Sequence, residues 1–295
     1  MKQGQNRFII SFLIVPLLLY GTFVLAPFAG AFAMSFTRWR GLSRNVSFAG
    51  LYNYDKLLHD DVFWTILGNN AKILLTFPII TMAIALFFAA LFHQEAIRGA
   101  TFFRIVFFFP QVISVSIIAI LWSYVYHPTV GILNGFFELI HYEPLQRFPW
   151  LGDPDTILPC IIVIAIWQAV GFYMVLLIAG MQSIPGELYE AARIDGANSW
   201  KLFWRITVPL TWETIRTSII FMAIGSMDMF AYVQILTKEG GPSHSGDVLA
   251  RYLYDQAILQ SNFSYGATIG VVLLVIVMSL SVISMHLTRR DPLWN

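Results

Sequence analysis

The chain has 295 residues, 57% of them hydrophobic and 12% charged, with a formal net charge of +1. Soluble domains carry about 25% charged residues, so this composition excludes an ordinary water-solvated globule and points to lipid as the solvent. One cysteine, Cys160, leaves no intramolecular disulfide to form.

A spanning helix needs about 20 apolar residues. Six runs meet that length: Phe8–Met34, Ile66–Phe92, Ile105–Tyr126, Ile157–Gly180, Thr217–Leu236 and Gly266–Leu287. All are too long for core strands, and the alternation of a β-barrel is absent. The expected fold is an all-α membrane protein of six transmembrane helices in one domain, residues 1–295. No internal repeat is visible, and the spans read as unbroken.

The first run exceeds the apolar core of a cleavable signal peptide and is expected to be retained. In the second, Asn69 and Asn70 are placed to join helices by hydrogen bonds, and Lys72 sits near an end from which it can snorkel. The fourth carries Trp167, Gln168, Phe172 and Tyr173. An aromatic face with an amide suits a sugar's apolar face and its hydroxyls; ordinary span packing uses the same residues.

Between the fourth and fifth runs lies a polar segment, Glu187–Pro209, within a loop bounded at 182–212. Pro185 suits a first helical turn, and Glu187 and Glu190 suit the positive end of the helix. Asp195-Gly196 reads as a stop, after which Asn198 or Ser199 caps a second short helix. That helix puts Trp200, Phe203 and Trp204 on one apolar stripe. Pattern alone leaves two readings, a loop resting on lipid or one presented to a partner.

The fifth run contains Asp228 near its middle. An ionised group at bilayer centre costs about 2.5–3.5 kcal/mol, so Asp228 must face protein or water. It either lines a solute path or pairs with a neighbouring subunit. With the N-terminus in the cytoplasm, ten basic residues lie inside (Lys2, Arg7, Arg98, Arg104, Arg193, Lys201, Arg205, Arg216, Arg289, Arg290) and seven outside (Arg38, Arg40, Arg44, Lys56, Arg147, Lys238, Arg251). Both termini and the Glu187–Pro209 loop are then cytoplasmic.

None of the five lysines is followed by Ser or Thr, so no standard phosphate-cradling loop occurs. The scattered histidines and the lack of HExxH or CxxC offer no metal site and no catalytic cluster.

"EAARIDGA" followed by "ITVP" resembles the EAA loop of permease subunits in binding-protein-dependent ABC importers. That pattern is Glu-Ala-Ala, three residues, Gly, nine residues, Ile-x-Leu-Pro. Glu190, Ala191, Ala192, Gly196, Ile206 and Pro209 fall on it, and Val208 replaces the leucine. "FAGLYNYDKLLHDDVFW", "FRIVFFFPQVISVSIIAILW", "WQAVGFYMVLLIAGMQSIPGELYEAARIDGA" and "ILTKEGGP" extend the resemblance to the MalF-like branch of carbohydrate permeases over nearly the whole chain. Two residues, Lys238 and Glu239, stand where the family usually has one before Gly-Gly-Pro.

The resemblance implies that the loop's first helix docks on a separate ATPase subunit through Glu190, Ala191, Ala192, Asp195 and Gly196. Glu190 can reach a basic group there, or pair locally with Arg193. It also places an in-membrane sugar pocket at Gln168, Ala169, Phe172, Met222, Gly225, Ser226 and Met229. With Tyr173 and Asp228 from the reading above, the expected pathway residues are Gln168, Phe172, Tyr173, Ser226, Asp228 and Met229.

The implied partners are a second homologous permease, two ATPase subunits carrying ATP and Mg, an external sugar-binding protein, membrane lipid and a sugar. No nucleic acid and no cofactor within this chain are expected. The setting is a bacterial or archaeal cytoplasmic membrane. A neutral di- or oligosaccharide is favoured because the spans hold almost no basic groups. A glycerol-phosphate or polyol importer, or a secondary transporter, is the alternative.

Overall fold

A computed structural model of the chain describes residues 12–41, 46–93 and 99–287. Both termini, and with them Lys2, Arg7, Arg44, Arg98, Arg289 and Arg290 of the orientation argument, lie outside the described residues.

The chain is mainly helical. Helix α1 (Phe12–Ser35) leads into a two-stranded antiparallel hairpin, β1 (Thr37–Arg38) and β2 (Ser47–Phe48), then α2 (Tyr52–Leu58) and the long α3 (Asp61–His93). Next come α4 (Ala100–Val112), α5 (Val115–Val125), α6 (Ile132–Leu139) and α7 (Ile157–Gln182). The short α8 (Gly186–Ile194), α9 (Ser199–Leu202) and α10 (Val208–Leu210) precede α11 (Trp212–Gly225) and α12 (Phe230–Leu236). Finally α13 (Leu249–Tyr254) leads to α14 (Phe263–Leu287). Four helices are long and apolar enough to cross a membrane, or six if each of two bent pairs counts as one span.

Those bent pairs correct the expectation of unbroken spans. Helices α4 and α5 meet at 101°, and α11 and α12 at 45°. Pro110 withholds an N–H from the last turn of α4, and Ile113 then turns to extended backbone (φ −81°, ψ 139°). The second break follows Gly225, a weak helix former, and spans Ser226 to Met229.

The chain divides into two compact units. The first takes residues 12–41, 46–63 and 252–276 of the described chain. It is held by polar ties. Asn53 Nδ2 donates to the carbonyls of Ser35 and Thr37, each at 2.8 Å, and Thr37 Oγ1 lies 2.9 Å from Ser264 Oγ. Asp60 accepts from the Val62 and Phe63 amides at the start of α3, from Tyr252 Oη at 2.6 Å, and from Tyr265 Oη. Burial pushes this carboxyl's pKa up. The hydrogen bonds from Tyr252, Tyr265 and the two amides outweigh it and hold the group below its ordinary value.

The second unit takes residues 64–93, 99–251 and 277–287. Its core is centred on α7, where Ile157, Ile161, Ile164, Met174 and Leu177 are fully buried. Gly171 lets α4 press its backbone onto α7; a Cβ there would meet the Phe107 carbonyl. Asn69 Nδ2 donates to the carbonyls of His244 (2.9 Å) and Asp247 (3.1 Å), and Asn70 Oδ1 accepts from Leu249 N at 2.9 Å. The two asparagines therefore tie a helix to a loop.

Candidate functional site

A cavity of about 250 Å³ lies within the second unit. Helix α7 presents Gln168, Ala169, Phe172 and Tyr173 to it, α11 presents Met222 and Gly225, and the α11–α12 break presents Asp228 and Met229. Five of the six expected pathway residues therefore share one wall system. Ser226 is the exception: it is buried, and its hydroxyl donates to the Ala223 carbonyl at 2.6 Å. Trp167 turns away and meets Trp122 edge-on at 5.6 Å.

The break is what delivers Asp228. At 45° between the two helices its backbone N–H bonds the Gly225 carbonyl at 3.0 Å, and its side chain is exposed. No group among the described residues hydrogen-bonds the carboxylate. The bend leaves the side chain exposed beside the cavity, and an ionised group at that depth needs water or a partner group around it.

Gln168 is buried and already engaged. Its Nε2 donates to the Ile113 carbonyl at 3.3 Å, an acceptor freed by the α4–α5 break, and its Oε1 accepts from Tyr232 Oη. The amide thus braces the cavity. Tyr232 and Gln111 also line the space and were not expected. A signal existed for both: Tyr232 stands one helical turn beyond Asp228, and Gln111 follows a proline inside an apolar run.

The second expected site is the segment after α7. Helix α8 carries Glu190, Ala191 and Ala192; Pro185 stands just before its first residue, not inside it. Asp195 ends the helix and Gly196 follows with φ +78°, the left-handed conformation. Ala197 N bonds the Ala192 carbonyl (2.9 Å) and Gly196 N the Arg193 carbonyl (3.0 Å), the double bond pattern that closes helices with glycine. Asn198, not Ser199, caps α9, with Oδ1 accepting from Lys201 N at 2.9 Å. Tyr189 Oη lies 3.0 Å from Thr207 Oγ1, fastening the two halves of the segment together.

No residue of α8 is buried, and Ile194 is 87%, Trp200 69% and Trp204 49% exposed. An exposed surface that carries tryptophans is the form of a contact with protein or with the membrane interface. The described ion pairs lie elsewhere, and none joins Glu190 to Arg193.

One arrangement was not foreseen. Asp247 is fully buried, accepts from Arg251 Nε at 2.5 Å, and lies 2.9 Å from His244 Nδ1. Charges four residues apart read as a solvated helix face; here the loop folds over them.

Residues 6–290 match the family described as "Binding-protein-dependent transport system inner membrane component". The chain is 36% identical over 274 residues to the diacetylchitobiose uptake system permease protein NgcF of Streptomyces coelicolor, covering 90% of this chain and 78% of that one. It is 30% identical over 282 residues to the arabinooligosaccharides transport system permease protein AraP of Bacillus subtilis, covering 95% and 86%. Its fold is that of a chain of a bacterial alginate ABC transporter, solved with an alginate pentasaccharide-bound periplasmic protein: TM-score 0.85, 21% identity, 98% and 96% covered. The chain belongs to this inner-membrane component family and is a multi-pass integral membrane protein.

Proposed function

We propose that this member of the binding-protein-dependent transport family is the permease subunit of an ABC importer that passes a neutral di- or oligosaccharide into the cytoplasm. The gathering of Gln168, Phe172, Tyr173, Asp228 and Met229 around one cavity carries the reading. Aromatic rings supply a stacking face, and Asp228 supplies acceptors for hydroxyls. The described lining holds no Lys, Arg or His, which disfavours a glycerol-phosphate cargo. Relatives named for diacetylchitobiose and arabinooligosaccharide uptake support the sugar class.

In this reading the chain forms one six-span domain with both termini cytoplasmic, in a bacterial or archaeal cytoplasmic membrane. The 182–212 loop docks on a separate ATPase through Glu190, Ala191, Ala192, Asp195 and Gly196. A second homologous permease, two ATPase subunits holding ATP and Mg, and an external binding protein complete the machine. The exposed tryptophans beside α8 and its glycine-closed end support the docking role.

The test is reconstitution of the assembled complex in proteoliposomes with the binding protein supplied outside. ATP-dependent uptake of a neutral oligosaccharide is expected. Uptake by this chain without any ATPase, or of glycerol phosphate in preference to every neutral sugar offered, would overturn the reading.

A further inference from the structure

A second cavity, about 510 Å³, lies at the end of the second unit that carries α8. His93 at the end of α3, Ala100, Thr101 and Arg104 at the start of α4, and Gly186 and Tyr189 of α8 line it. Nothing in the transport reading uses it.

Its chemistry is that of an anion site. Arg104 Nη2 donates to the Phe92 carbonyl, but Arg104 Nε and His93 Nδ1 are buried without a hydrogen-bond partner among the described residues. A buried donor left unpaired costs about 1–3 kcal/mol, so a ligand that accepts from it is favoured. Helix α4 opens at Gly99 (φ +86°) with no side-chain cap among the described residues, and the first amides of a 13-residue helix have no acceptor within their own helix. Helix α8 opens at Gly186, also without a side-chain cap. Two positive helix ends and a guanidinium therefore meet in one space, and no carboxylate lines it among the described residues.

One further observation selects the source of the anion. Phe102, Ile105, Val106 and Phe109 are 64%, 62%, 49% and 61% exposed and recur at helical spacing, so an apolar stripe lies on the face of α4 next to Thr101, beside the face that lines the cavity.

We propose that this cavity binds the phosphate ester of an anionic phospholipid. The phosphate accepts from Arg104, His93 and the start of α4, and the acyl chains lie along the Phe102–Phe109 stripe. Basic pockets between membrane helices hold such headgroups. Because Gly186 and Tyr189 belong to α8, an occupied site also steadies the helix that meets the ATPase.

Native mass spectrometry of the assembled complex tests this, with phosphatidylglycerol titrated against phosphatidylcholine. Preferential retention of phosphatidylglycerol is expected, falling about tenfold in Arg104→Gln, as for one lost charge-assisted hydrogen bond. Arg104 also braces α3, so Thr101→Glu is the second variant. A carboxylate in a first helical turn is well tolerated, yet it occupies the site and repels phosphate. Loss of retention in both variants supports the proposal. Equal retention of the two lipids, or phosphatidylglycerol retention unchanged in both variants, overturns it. A parallel arm offers glycerol 3-phosphate; its retention without enrichment of the lipid overturns the lipid source and assigns the site to a soluble ester. Stripe residues protected by the second permease in hydrogen exchange, with no lipid retained, assign the α4 face to a subunit contact and overturn the proposal.

Discussion

Tyr232 Oη donates to Gln168 Oε1, joining α12 to α7, and the same amide donates onward to the Ile113 carbonyl at the break between α4 and α5. One side chain thus fastens three helices around the cavity. Tyr232→Phe leaves a buried acceptor unpaired and should cost about 1–3 kcal/mol. Combined with Gln168→Leu, the loss should be smaller than the sum, with a coupling of about 0.5–3 kcal/mol in a double-mutant cycle on the assembled complex. Additive losses would remove the brace.

Asp228→Asn keeps the shape at the α11–α12 break and removes the charge. Transport per assembled complex should fall about 10- to 100-fold, the loss of a hydrogen bond to a charged group, with assembly yield unchanged. A collapse in yield with normal transport per complex would assign Asp228 to a pair with the second permease.

Gly196 holds φ +78° with open space where a Cβ would stand, so substitution there strains backbone without a clash. Gly196→Ala should cost about 1–2 kcal/mol locally and lower ATP-driven uptake, while sugar capture by the binding protein stays normal. Glu190→Lys should do the same by reversing a docking charge. Wild-type uptake in both variants would leave α8 with no coupling role.

Asp60 supplies a pH test. Its folded pKa lies below the ordinary 3.8, so its contribution is fully present above that value and is lost as pH falls through the lower, folded value. The melting-temperature gap between wild type and Asp60→Asn should hold steady from about pH 7 to about pH 5 and shrink in acid. A gap that widens in acid would reverse the sign.

The spans and the α8–α9 segment were legible because their signals are local. Apolar runs report length, and Gly196 and Asn198 close and open helices through atoms a few residues away. The breaks were not, since Ile105–Tyr126 is apolar on both sides of the bend and the sharp turn rests on the backbone of Ile113 and Ser114. Gln168 was legible as a cavity residue, but not that its amide is already committed, because both partners lie 55 or more residues away. The buried Asp247–Arg251 pair was hidden for a different reason: its partners are four residues apart, but its exposure is set by how the loop closes, not by spacing.

The asparagine seam between α3 and the 244–249 loop sets a clock on biogenesis. Asn69 and Asn70 find their acceptors and donor 175 to 179 residues later in the chain. At synthesis rates of about 5–20 residues per second, α3 is in place for about 9–36 s before the loop that satisfies it has been made. Through that interval two amides at the head of a membrane helix must be served by water or by the insertion machinery. The last third of the chain therefore locks the first, and nascent chains cut short before residue 249 should leave α3 without its final anchorage.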